Sequence, residues 1–66
     1  MIVAEFMGPG KRLTRHMTKG NRGPEVLHDV GVADLVTGSA VRFTCATKEG
    51  AEMVFAALKL AVETSR

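Results

Sequence analysis

Tryptophan and tyrosine are missing from this chain, and phenylalanine occurs only three times, at Phe6, Phe43 and Phe55. A core must therefore be assembled from Val, Leu, Ala and Met, a small and adaptable set, and no aromatic platform for stacking nucleobases is visible. The single cysteine, Cys45, excludes an internal disulfide, and no Cys/His set has zinc-ligand spacing. Neither a secreted disulfide scaffold nor a small zinc fold is expected, which implies an intracellular, cytoplasmic protein. No run approaches the roughly 20 apolar residues of a membrane span, and the opening MIVAEFM lacks a basic leader. A membrane partner is not expected.

What is present is enough for one small domain, residues 1–66, with 45% hydrophobic and 24% charged residues and no low-complexity run. A chain of about 60 residues buries only roughly 60% of its unfolded surface. Stability should be marginal, so folding with a partner subunit is one expectation. The net charge of +2 is unevenly spread. Residues 1–28 carry five cations (Lys11, Arg12, Arg15, Lys19, Arg22) against Glu5 and Glu25, whereas residues 29–66 carry four cations against five carboxylates. Positive potential is thus concentrated in the first half.

Within that half the most informative feature is Gly20-Asn21-Arg22-Gly23, a cation held between two residues without a Cβ, where backbone can turn tightly and approach a ligand closely. Leu13, His16 and Met17 upstream fall at i, i+3 and i+4, which predicts a short helix over 11–19 with Lys11, Arg12, Arg15 and Lys19 on its other side. Such a cationic face leading into a glycine loop suits a phosphate backbone.

Elsewhere, Ile2–Met7 reads as a strand stopped by Gly8-Pro9-Gly10. Pro24, Glu25 and Gly31 have the placement of a helix start and cap, with Val26, Leu27 and Val30 inward; one extended segment from Val26 to Val36 is the alternative. Val41, Phe43 and Cys45 alternate with Arg42 and Thr44 as a strand. Thr47 can cap a helix from Lys48 to about Thr64, whose apolar residues span more than one face. Val54, Leu58 and Ala61 would face the sheet, leaving Met53, Ala57 and Leu60 for a homodimer or protein partner. The expected architecture is α+β, a small two-layer sandwich with a three-stranded sheet and a C-terminal helix packed on it.

With that order, strand-helix-helix-strand-strand-helix, and with GNRG joining the first two helices, the chain resembles a minimal KH domain. Val26, three residues past the second glycine, stands where that family has an aliphatic residue. The resemblance implies a β-α-α-β-β-α fold whose Gly20–Gly23 loop clamps the backbone of about four single-stranded nucleotides.

Enzyme chemistry has little support in the residues. His16 and His28 have no carboxylate or cysteine at ligand spacing beyond the adjacent Asp29, and Cys45 alternates with Phe43 as a small buried hydrophobe would. Gly10-Lys11 is followed by Arg12, not by the hydroxyl residue of a phosphate loop. No cofactor and no metal is expected. The leading expectation is a single-stranded RNA- or DNA-binding accessory protein using Lys11, Arg12, Arg15, Lys19 and the loop Gly20, Asn21, Arg22, Gly23. The competing one is an inhibitor, adaptor or homo-oligomer working through Met53, Ala57 and Leu60.

Overall fold

The structure is a computed structural model that describes residues 1–19 and 26–64. Four strands and one helix follow one another: β1 (Ile2–Gly8), β2 (Lys11–Lys19), β3 (Val26–Asp34), β4 (Ala40–Cys45) and α1 (Lys48–Thr64). The strands form one antiparallel sheet in the order β1-β2-β3-β4, with α1 on one face. This is an α+β fold, but it corrects the expected three-stranded sheet and the KH-like order. Lys11–Lys19 is a strand, and Val26–Asp34 takes the extended alternative in place of a helix. The loop Gly20–Gly23, which carried the family resemblance, lies outside the described residues.

Short connections enforce the meander. Gly8 pairs with Lys11, so β1 and β2 are joined through Pro9 and Gly10 alone. Proline pre-sets the first central dihedral of such a turn, and Gly10 takes the positive φ of 68° that a side chain would oppose. Between β3 and β4, Asp34 organises the loop. Its Oδ1 accepts from the Val36 and Thr37 amides at 2.9 and 3.1 Å, and its Oδ2 accepts from Lys11 Nζ at 3.2 Å. Thr47 caps α1 as expected, its Oγ1 accepting from the Gly50 amide at 3.0 Å.

Alternation along each strand then separates two faces. The helix side carries the cross-strand rows Phe6–Leu13–Val32–Val41 and Ala4–Arg15–Val30–Phe43, followed by Met17–His28–Cys45. The helix runs diagonally over it, and its first turn lies on the end of β4, where a Cβ on Gly50 would sit 3.8 Å from the Cys45 Cβ. Near its other end, Val62 packs on Gly8 of β1 so closely that a Cβ there would clash. The core between the layers is small: Leu13, Val30 and Ala51 are fully buried and Val62 nearly so. The sheet-facing line of α1 is Ala51, Val54, Phe55, Leu58 and Val62; Ala61, expected there, is exposed.

The Asp34 carboxylate gives this fold a pH dependence. Amide donation from Thr37 and Val36, with the Lys11 ammonium beside it, holds its carboxyl below the usual aspartate value. A lowered folded value means that the stabilisation is present at neutral pH and is lost as pH falls through that value. The thermal midpoint should therefore drop on acidification below the ordinary aspartate range of about 3.9, and Asp34→Asn should both lower the neutral midpoint and flatten that acid limb. A calorimetric pH series on the two proteins checks this.

Candidate nucleic-acid interface on the open sheet face

The second face of the sheet has no layer over it among the described residues, and its side chains are short at the centre. Three cross-strand rows build it: Met7–Arg12–Ala33–Ala40, then Glu5–Thr14–Gly31–Arg42, then His16–Asp29–Thr44. Small residues on β3 and β4 leave a trough, walled by Arg12, Thr14 and His16 on one side and Arg42 on the other, with a volume of about 330 Å³. Gly31 is its floor, where an added Cβ would come within 3.2 Å of Thr14 Oγ1. The walls stand two strand spacings apart, about 10 Å, room for one extended chain.

The trough is lined by two guanidiniums and an imidazole, and none of the lining side chains is a carboxylate. Two carboxylates lie just outside. Glu5 Oε2 accepts from Arg12 Nε at 2.7 Å, orienting that guanidinium along the sheet, and Asp29 sits opposite His16 on the neighbouring strand. The Arg12–Glu5 pair is solvent-exposed, so it contributes little to stability and an incoming anion can compete for it. All three phenylalanines are absent from this face: Phe6 and Phe43 lie in helix-side rows, and Phe55 is on the sheet-facing side of α1. What the surface offers a ligand is charge and hydrogen bonding over a bare floor, without ring stacking.

Of the cations expected to act together, the structure brings few together, because a strand distributes neighbours to opposite faces where a helix would not. Arg12 is on the open face. Lys11 is on the helix side, bonded to Asp34. Arg15 is buried against the helix layer at 9% exposure, with Nη1 lacking a partner, and His28 beside it in the next row is buried to the same extent with Nδ1 unpartnered among the described residues. Lys19 is exposed at the end of β2, and Gly20, Asn21, Arg22 and Gly23 lie outside the described residues. Met53, Ala57 and Leu60 are all exposed on the side of α1 away from the sheet.

Arg42 and Gly31 were not among the expected site residues. The Val41/Arg42/Phe43 alternation was a signal for Arg42, since it sends that side chain to the face opposite the apolar one. Gly31 had no such signal, and its place as a floor depends on which residues flank it across the sheet. Among the described residues no group of three or more His, Cys, Asp and Glu could hold a metal ion, and no helix is long and apolar enough to cross a membrane. No protein-family model, curated protein or solved structure matches this chain, so nothing from relatives bears on the KH resemblance or on its implied ligand.

Burial of an incompletely bonded guanidinium opposes folding. Arg15→Met, which keeps an unbranched apolar stem and removes the guanidinium, should raise stability by about 1–3 kcal/mol and leave oligonucleotide affinity unchanged, since Arg15 faces away from the trough. Chemical denaturation and a binding titration on one preparation measure both.

Proposed function

We propose that this chain binds single-stranded nucleic acid along the open face of its sheet, holding the sugar-phosphate backbone between Arg12 and His16 on β2 and Arg42 on β4. The observation that carries this reading is the trough itself: basic side chains on both walls, a glycine floor, and no carboxylate in the lining. Two guanidiniums can each engage phosphate oxygens bidentately. Gly31, Ala33 and Ala40 keep the space between them free of long side chains. With no ring on this face, affinity rests on phosphate contacts, and discrimination between sequences is modest.

A second reading, docking of a protein partner on α1, is favoured by one observation. Met53 and Leu60 on its outward side are 73% and 62% exposed. The two readings separate by experiment, because neither residue faces the trough.

The test is titration of labelled single- and double-stranded oligonucleotides of random sequence over a range of salt. Wild type should prefer the single strands, with log K falling linearly against log salt. Arg42→Glu should weaken binding to all sequences alike and reduce that slope by roughly one per lost phosphate contact, with folding unchanged because the side chain is exposed. Wild type that binds no oligonucleotide, or Arg42→Glu that binds as wild type does, overturns the nucleic-acid reading. Leu60→Glu should leave oligonucleotide binding as it is.

A further inference from the structure

The two edges of the sheet are not alike. On β1 the ladder is interrupted by a bulge between Ile2 and Ala4, and Pro9 follows immediately after the strand. These are devices that discourage strand addition. On β4 the six residues AVRFTC pair with β3 in unbroken register and contain no proline, no lysine and no bulge, Arg42 being the one charged side chain. The diagonal path of α1 also leaves the helix side of this edge bare. Cys45, under the first helical turn, is half-buried, whereas Phe43 is 43% and Val41 56% exposed as the helix moves away toward β1.

We propose that β4 is a self-association edge, and that a second copy of this chain adds to it antiparallel about a two-fold axis at Phe43. This goes beyond the nucleic-acid reading and does not depend on it. The hydrogen-bond phase supports the placement. The Asp34 amide donates to the Ser39 carbonyl at 2.7 Å, one step past the Ala33–Ala40 pair. By strict alternation of an antiparallel ladder, Val41, Phe43 and Cys45 direct their backbone groups to β3, and Ala40, Arg42 and Thr44 turn theirs outward. A two-fold at Phe43 then sets Arg42 in a hydrogen-bonded pair with Thr44 of the second copy, and the reverse. The two Phe43 rings meet as a close, non-hydrogen-bonded pair on the helix side, with Val41 opposite Cys45 of the second copy.

The register with the two-fold at Arg42 is disfavoured, because it would set Arg42 directly against Arg42 of the second copy, like charge on like charge. Pairing would produce one eight-stranded sheet with both helices on one side, and would place Arg42 of each copy near the axis on a shared open face.

Sedimentation equilibrium at micromolar concentration should return the mass of two copies. Thr44→Pro removes an outward amide without touching the β3–β4 ladder, and should halve that mass with an unchanged circular dichroism spectrum. Phe43→Cys in a Cys45→Ser background should form a disulfide-linked dimer under mild oxidation, because the two side chains face each other across the axis, whereas Leu60→Cys in the same background should not. The cross-link decides the matter should Thr44→Pro fail to fold. A wild type that sediments as a single copy, a folded Thr44→Pro that remains dimeric, or cross-linking at Leu60 in place of Phe43 overturns the proposal.

Discussion

Everything in this structure depends on one small core, the burial of Leu13 and Val30 on the two central strands and of Ala51 and Val62 on α1. A sheet with one covered face must find its apolar interior under whatever lies on that face, and here that is a single helix of 17 residues. The two strands that provide the core are also joined to each other by the longest register in the sheet, nine consecutive pairs from Lys11–Asp34 to Lys19–Val26. The outer strands, β1 and β4, are held mainly by their ladders and by turns. Small residues at the layer contact, Gly8 under Val62 and Ala51 over the sheet, let the helix come close. The molecule that results is thin and long, 42 × 22 × 14 Å, one sheet and one helix deep.

That economy has consequences at both faces. With only one helix available, the helix side cannot be filled by apolar residues alone, and Arg15 and His28 occupy inward positions with polar atoms left unbonded among the described residues. Such groups oppose folding. They lie in adjacent rows, toward the end of the sheet where β2 and β3 lead to residues 20–25. Among the described residues the opposite face bears no cover, and it tolerates glycine, alanine and charge together, which a core could not. The same absence of a second layer that limits stability thus creates the trough between Arg12 and Arg42.

Legibility from the sequence followed how local each signal was. The strand at Val41–Cys45 alternates apolar and polar residues, α1 starts at a threonine cap and continues with strong helix formers, and β1 is bounded by Gly8-Pro9-Gly10; each of these is visible within a few residues. The strand β2 was hidden by Arg15. Had that inward position been apolar, Leu13, residue 15 and Met17 would have shown period two, but with arginine there the remaining Leu13, His16 and Met17 mimic a helical stripe. In the same way Pro24, Glu25 and Gly31 imitate a helix start and cap, although Gly31 is a mid-strand residue facing Thr14.

The sequence by itself determined the class of this domain, α+β, its apolar inventory without Trp or Tyr, and the presence of a C-terminal helix with Met53, Ala57 and Leu60 on its outer side, because composition, caps and periodicity are properties of neighbouring residues. Tertiary structure alone decided that the cations of residues 11–19 part company, with Lys11 and Arg15 beneath the helix and Arg12 on the open face. It alone joined Arg12 to Arg42 across β3, over a floor made by Gly31. A strand's side chains alternate by a local rule, but which side is covered, and what lies two strands away, is set by pairing register between segments distant in sequence.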